Sequence, residues 1–306
     1  MLKPYHQGKW REPRLGKDRE YFGLELEFMP TQGAFPGDSG PHRFAAYLEK
    51  ALADSRFPAK AFRFETDSSL RQGDAIGVEM ISGILASRLA RKLPWVDFFN
   101  RLDGKKVSFG HRVAGFHIHL DRKSLSPLGW RMLWYALNAP DNDFEVERVF
   151  GRLSHYAGAA EEVEYEERAW QYTDSDDEEV YEYETVTLRY RDIQVGDVLD
   201  NSDDFDQFFA GNRFVRLNCC PEKTAEFRAF PSPRCGEQVL AALELCLALR
   251  DAAAVRASDY SERKSDRRSK PLPSLEDFLQ DVVENEAYPR AQLLADTSWG
   301  DLAGNV

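Results

Sequence analysis

Two histidines one residue apart, in the stretch GFHIHL at 115–120, are the first groups in this sequence that could do chemistry. On a strand, side chains alternate between faces, so His117 and His119 share one face and Phe116, Ile118 and Leu120 the other. Other strand-like stretches repeat the pattern with different groups. GLELEF sets Glu25 and Glu27 on one face and GVEM adds Glu79. RFVRLN offers Arg216 and Asn218, and AEFRAF offers Glu226 and Arg228. Imidazole nitrogens and carboxylate oxygens are metal ligands, and guanidinium groups bind phosphate oxygens bidentately.

The solvent face of an ordinary antiparallel sheet is filled with Thr, Lys, Ser and Gln rather than these types. If the strands belong to one sheet, four carboxylates and two imidazoles converge on one surface. Two carboxylates 4 Å apart repel by about 4 kcal/mol at an effective dielectric of about 20, a cost that cations remove. Carboxylates with imidazole and no thiolate suit Mg2+ or Mn2+ better than structural zinc. Arginines beside such metals suit a polyphosphate, the apparatus of phosphoryl transfer. Alone, His-x-His on a strand is commonly a wet surface and Glu-x-Arg a cross-strand ion pair. Their joint occurrence is what points to a site.

These groups need elements to position them. YFGLELEFM at 21–29 alternates as a strand, and a Gly/Pro-rich turn, GAFPGDSGP, follows it. Phe44, Leu48, Ala51 and Leu52 trace the apolar stripe of a helix. AFRFET and AIGVEMIS read as strands joined by DSSLRQGD, followed by a helix from Ser87 to Leu102 that starts or kinks near Pro94. KVSF and GFHIHL return to strand. One helix opens at Ser126-Pro127, and a second near Asp141 runs through Phe144 and Val149 to Leu153. NRFVRLNCC and TAEFRAF are strands around the turn PEK. Residues 236–257 form a long apolar helix, an exposed loop follows, and SLEDFLQDVVEN is a last helix with Ser274 and Asp277 in a capping-box pair.

Charge is unevenly spread. The net charge is −12 over 306 residues, yet residues 159–206 alone hold 18 Asp and Glu against three arginines. The remainder is close to neutral. The acidic segment, with VYEYETVTLRYR alternating like a water-facing hairpin strand, reads as a solvated insertion and argues against a nucleic-acid partner there. No apolar run of about 18 residues suggests a membrane span, and the N-terminus has no signal-type pattern. Cys219, Cys220, Cys235 and Cys246 lack zinc spacing and read as reduced thiols, which places the chain in the cytoplasm.

In their order, GLELEF, TDSS…GVEMISG, GFHIHL, RFVRLN and AEFRAF resemble the amidoligase family over roughly residues 20–250. These are carboxylate–amine ligases of the glutamine synthetase and glutamate–cysteine ligase superfamily. The resemblance implies an α+β fold: a curved, mainly antiparallel β-sheet like the glutamine synthetase catalytic domain, with helices on its convex face. It implies ATP and Mg2+ (or Mn2+) as cofactors and a carbon–nitrogen ligase passing through an acyl phosphate. Glu27 and Glu79 would then hold the substrate-side metal, and Glu25, His117 and Glu226 the metal bridging the ATP phosphates. His119 would sit near the phosphates or the substrate carboxylate, and Arg213, Arg216 and Arg228 would neutralise the transferred phosphoryl group. Asp67 would orient or deprotonate the amine; as a residue of a turn, capping its own backbone, it has an equally open structural reading.

Residues 1–257 would form the catalytic domain, with the acidic insertion at about 159–206, and 258–306 a loop and helical tail. The partners would be small-molecule or peptide carboxylates and amines, with the acidic insertion suited to a basic amine. A homo-oligomer is left open; the two-domain rings of glutamine synthetase are not implied, because no comparable N-terminal domain is visible. Three other classes fit parts of the pattern. A guanidino-kinase-like phosphotransferase would use the same sheet, and a non-catalytic scaffold would keep it without chemistry. A metal-dependent hydrolase built on His117 and His119 would want further histidines, and only His155 lies downstream.

Overall fold

The alternation that places Glu25 and Glu27 on one face buries the other. In the computed structural model, Phe22, Leu24, Leu26 and Phe28 of β3 (Tyr21–Pro30) are shut off from solvent. The structure describes residues 3–4, 13–18, 20–67, 69–111, 113–151, 162–173, 179–189, 215–262 and 272–303, with 3–4, 140, 162–173, 179–189, 262 and 303 as backbone only.

Strand β3 lies at the middle of a ten-stranded, mainly antiparallel sheet. The other members are β1 (Lys3–Pro4), β2 (Arg14–Leu15) and β4 (Phe62–Thr66). A separate small hairpin, β5 (Arg71–Gln72) with β6 (Ala75–Ile76), leads into β7 (Val78–Ser82) and β8 (Ile84–Ala86). Then come β9 (Val107–Ser108) and β10 (Gly115–Asp121). The acidic segment supplies β11 (Glu162–Thr173) and β12 (Glu179–Arg189), and the sheet ends with β13 (Leu217–Asn218) and β14 (Thr224–Pro231). The main path runs β1-β4-β7-β3-β10-β14-β13, and only the β1–β4 and β2–β8 pairs are parallel.

Helices cover the apolar face: α1 (Gly40–Asp54), α2 (Ser87–Ala90), α3 (Trp95–Asn100), α4 (Pro127–Asn138), α5 (Asp143–Phe150), α6 (Gly236–Glu262), α7 (Leu275–Glu284) and α8 (Pro289–Asp296). Leu243 and Cys246 of α6 and Phe278 of α7 lie in one hydrophobic cluster with Leu26, Ile118 and Phe227 of the sheet. The fold is therefore mixed α+β with its polar strand face left uncovered by that core. Among the described residues no helix is long and apolar enough to cross a membrane.

Several elements differ from the sequence expectation. The single helix over 87–102 is two, α2 and α3, because Pro94 lacks the amide that would continue the first and instead stands at the N-cap of the second. The strand expected over NRFVRLNCC is reduced to Leu217–Asn218 among the described residues. Helix α6 runs past 257 to Glu262. Helix α8 was not foreseen; it begins at Pro289 in a weakly patterned stretch. Leu153, the end expected for α5, lies outside the described residues; α5 instead closes on Gly151, at φ +82°, where a Cβ would come within 2.6 Å of Trp299. The expected caps are present: Ser126 Oγ accepts from Gly129 N as an N-cap, and Ser274 and Asp277 bond reciprocally as a capping box. Both halves of the acidic hairpin are extended and pair with each other, separate from the main sheet. The rest of that segment lies outside the described residues.

Candidate active site

Register decides which of the polar side chains meet. Glu25 of β3 stands opposite His117 of β10, and Glu27 stands opposite Glu79 of β7. Glu79 is in turn opposite Glu65 of β4. On the other side, His119 pairs with Glu226 of β14, and Glu226 with Asn218 of β13. One irregularity shapes this half. Phe116 pairs with Phe230 but Ile118 with Phe227, so β14 holds one extra residue opposite His117. A regular ladder would send Phe230 to the polar face. The bulge returns it to the core, 6.2 Å from the Phe116 ring, and leaves Arg228 beside Glu226.

Glu25, His117 and Glu226 form a compact donor set. His117 Nδ1 lies 3.4 Å from Glu25 Oε2 and 3.4 Å from Glu226 Oε1, and one ligand atom from each residue falls within 4.8 Å of the others. Neighbouring ligands around a small cation at 2.1 Å are about 3.0 Å apart, so the two 3.4 Å separations from His117 Nδ1 are near what Mg2+ or Mn2+ needs, and the two carboxylates would have to close further on the ion. Supporting bonds fix the set. Asn218 Nδ2 donates to Glu226 Oε2 at 2.8 Å and Arg228 donates to Glu226 Oε1 at 2.5 Å.

Glu27 and Glu79 make the second cluster. Gly115 N donates to the Glu27 carboxylate, and Ser232 Oγ donates to the Glu27 backbone carbonyl at 2.6 Å. Glu79 is 4% exposed. Burial, together with the negative charges of Glu25, Glu27 and Asp67, pushes its carboxyl up to about 10. A carboxyl in that state is protonated near neutrality, and a cation placed beside it would favour the charged form again. Sequence reasoning missed Glu65, the buried third carboxylate of this row, which Arg63 Nε approaches at 3.1 Å. The alternation of AFRFET carried that signal, since it puts Arg63 and Glu65 on one face.

Glu25 and His119 are tied to each other. Burial alone would raise Glu25, but His119 and His117 together outweigh it and hold the carboxyl well below its usual range. Burial would lower His119, but Glu25, with help from Glu226, lifts it to about 9. The two side chains stand 3.2 Å apart, Nε2 to Oε1. Both line a cleft of about 640 Å3, which Arg14, Arg122, Lys123 and Lys223 also line together with the acids Asp121 and Glu222.

The remaining expected residues divide. Asp67 accepts from Ser69 N at 2.8 Å, the turn arrangement, while its charge also acts on Glu79. Arg216 is not brought to the carboxylates. Its guanidinium donates to the Leu137 and Ala139 carbonyls at the end of α4, each at 3.1 Å, and pairs with Asp143. Arg213 lies outside the described residues.

No family model and no curated protein matches the chain. Among solved structures it is similar to the crystal structure of the complex between Prokaryotic Ubiquitin-like Protein Pup and its Ligase PafA. The identity is 11% and the TM-score 0.34, over 94% of this chain and 63% of that one, so the chain spans less than two thirds of its length. A likeness of that degree does not establish a shared fold, and the function has to be argued from the residues themselves.

Proposed function

We propose that this protein is an ATP- and Mg2+-dependent carboxylate–amine ligase that forms an amide through an acyl phosphate. The observation that carries the reading is the Glu25–His117–Glu226 donor set, whose Glu25 lines a cleft together with Arg14, Arg122, Lys123 and Lys223. The order of motifs, which resembles the amidoligase family, agrees with it.

A carboxylate is a poor acylating agent, so its oxygen first takes the terminal phosphoryl group of ATP, releasing ADP. An amine then attacks the acyl carbon, expelling phosphate. Bound metal would neutralise charge on the transferring and leaving oxygens. Glu25, His117 and Glu226 would hold the ion nearest the ATP phosphates, and Glu27 and Glu79 the ion nearest the carboxylate substrate. Arg228, already on the Glu226 carboxylate, and His119, lifted toward its cationic form, supply positive charge where phosphate charge develops. Asp67 stands near Glu79 and would receive the proton or orient the amine. Arg216 serves the wall behind the site by bonding the end of α4.

The test is thermal unfolding with ATP or ADP, with and without Mg2+, for the wild type and Glu25→Ala. A nucleotide at about 100 times its dissociation constant stabilises a folded chain by about 2.7 kcal/mol. Stabilisation that needs both metal and nucleotide, and is lost with Glu25, supports the site; ADP release with an amide product then separates a ligase from a kinase. No nucleotide response under any metal sinks both.

A further inference from the structure

The half-buried face of β3 reads Tyr21, Gly23, Glu25, while Phe22, Leu24 and Leu26 turn into the core. Those three residues floor the cleft. The middle one carries no side chain, and its opposite neighbour is His119: a Cβ on Gly23 would lie 3.3 Å from the His119 Cβ. The floor thus has an aromatic ring at one end, a glycine overlaid by the His119 side chain in the middle and a carboxylate of the proposed metal-ligand set at the other. Tyr21 and Glu25 are four residues apart on one strand, which spans about 14 Å. That is close to the length of an extended nucleoside triphosphate from base to terminal phosphate.

The far end is built for a flat ring. The Arg14 guanidinium lies over the Tyr21 ring, 4.0 Å from its centroid. Arg14 sits on β2, held parallel to β8 opposite Ile84, and is itself exposed and part of the cleft lining. A guanidinium stacked on one aromatic face presents a planar cation to a second π-system. Ile81 and Ile84 supply apolar surface around it. The cations Lys123 and Lys223 line the same cleft with Glu25 and His119, where phosphates would approach the metal ligands.

We infer that the Arg14–Tyr21 stack is the nucleobase platform of the cleft, and that the nucleotide runs along β3 from Tyr21 toward the His119 ring, with its phosphates at Glu25 and His119. This inference rests on the nucleotide-binding reading given above. It makes Arg14 a residue that recognises a purine or pyrimidine face rather than phosphate charge.

The experiment is calorimetric titration of the full chain with ATP and, separately, with inorganic tripolyphosphate, both with Mg2+. It compares the wild type with Arg14→Ala, Arg14→Lys and Tyr21→Leu. Base stacking on such a platform supports a loss of about 10-fold in ATP affinity for Arg14→Ala. Tripolyphosphate affinity should stay unchanged, Arg14→Lys should not restore ATP binding, and Tyr21→Leu should weaken ATP in the same direction. Equal losses for ATP and tripolyphosphate, or full rescue by lysine, would make Arg14 a phosphate ligand and overturn the platform. Unchanged ATP affinity in Arg14→Ala and Tyr21→Leu would overturn the platform while leaving nucleotide binding intact. A wild type that binds neither ligand would remove the nucleotide reading itself, and the platform with it. Arg14 is exposed, so its variants should fold; a melting curve for each checks this.

Discussion

His119 reaches Glu25 diagonally: its backbone is in register with Gly23, yet its Nε2 lies 3.2 Å from Glu25 Oε1. The reach depends on the glycine, which leaves no side chain between them. The same contact sets the protonation of both groups, so breaking it has a readable signature.

Glu25→Gln removes the chief influence that raises His119. In the metal-free protein the His119 titration, followed by NMR, should fall from about 9 toward or below the ordinary imidazole value near 6.5. An unchanged titration would show that Glu25 does not face His119 in solution.

Gly23→Ala should act on the same pair by sterics. A methyl placed 3.3 Å from the His119 Cβ and 3.7–3.8 Å from its ring must shift that side chain by a few tenths of an ångström. Nucleotide affinity should drop, and His119 should titrate lower, with a fold close in stability to the wild type. Normal affinity and a normal His119 would show that the floor tolerates filling.

Glu79 makes the metal-free protein pH-sensitive. Its carboxyl titrates near 10 in the folded chain and near 4.5 when unfolded. A raised folded value contributes stability that is fully present below 4.5 and is lost as pH rises through about 10, at most about 1.4 kcal/mol per pH unit. Glu79→Gln abolishes that loss. With chelator present, the variant should therefore melt above the wild type at pH 8, by about 2–4 °C per kcal/mol recovered, and the gap should close toward pH 5. A gap that is constant with pH would count against the buried, neutral carboxyl.

Arg216 and Arg228 should separate cleanly. Arg216→Ala leaves the carbonyls at the end of α4 and Asp143 without their donor and should cost about 3 kcal/mol in denaturant unfolding. Arg216→Lys should not recover it, because one ammonium cannot replace a fork that spans three acceptors. Nucleotide affinity of the folded fraction should persist. Arg228→Ala should show the reverse, with weaker nucleotide binding and a small change in melting. An Arg216 variant of full stability but poor affinity would return that residue to the phosphates.

Alternation was enough to place Glu25, Glu27, Glu79, Glu226 and both imidazoles, because a period of two states which face a residue takes whatever the partner strand is. Caps at Ser126 and Ser274 were equally legible, since each satisfies amides within three residues. What stayed hidden depends on distant partners. AEFRAF does not announce the bulge that keeps both Phe227 and Phe230 in the core, because the extra residue is visible only against β10. RFVRLN sets Arg216 in phase with Asn218, yet at the edge of the sheet the long side chain can turn to the end of α4, which a strand pattern cannot encode. The neighbourhood of Glu65 likewise follows from the β4–β7 register rather than from its own stretch.

The place of β14 in the sheet has a consequence for biosynthesis. Glu25 and His117 lie on neighbouring strands, but Glu226 arrives about two hundred residues after Glu25, on the strand that closes β10's other edge. A nascent chain halted before β14 would leave that edge of β10 open, a surface that invites pairing with other chains. Contacts of such long sequence separation also form slowly. On the proposed reading the third donor of the Glu25–His117–Glu226 set is delivered by the strand that seals β10, so full cation affinity would report that the sheet has closed.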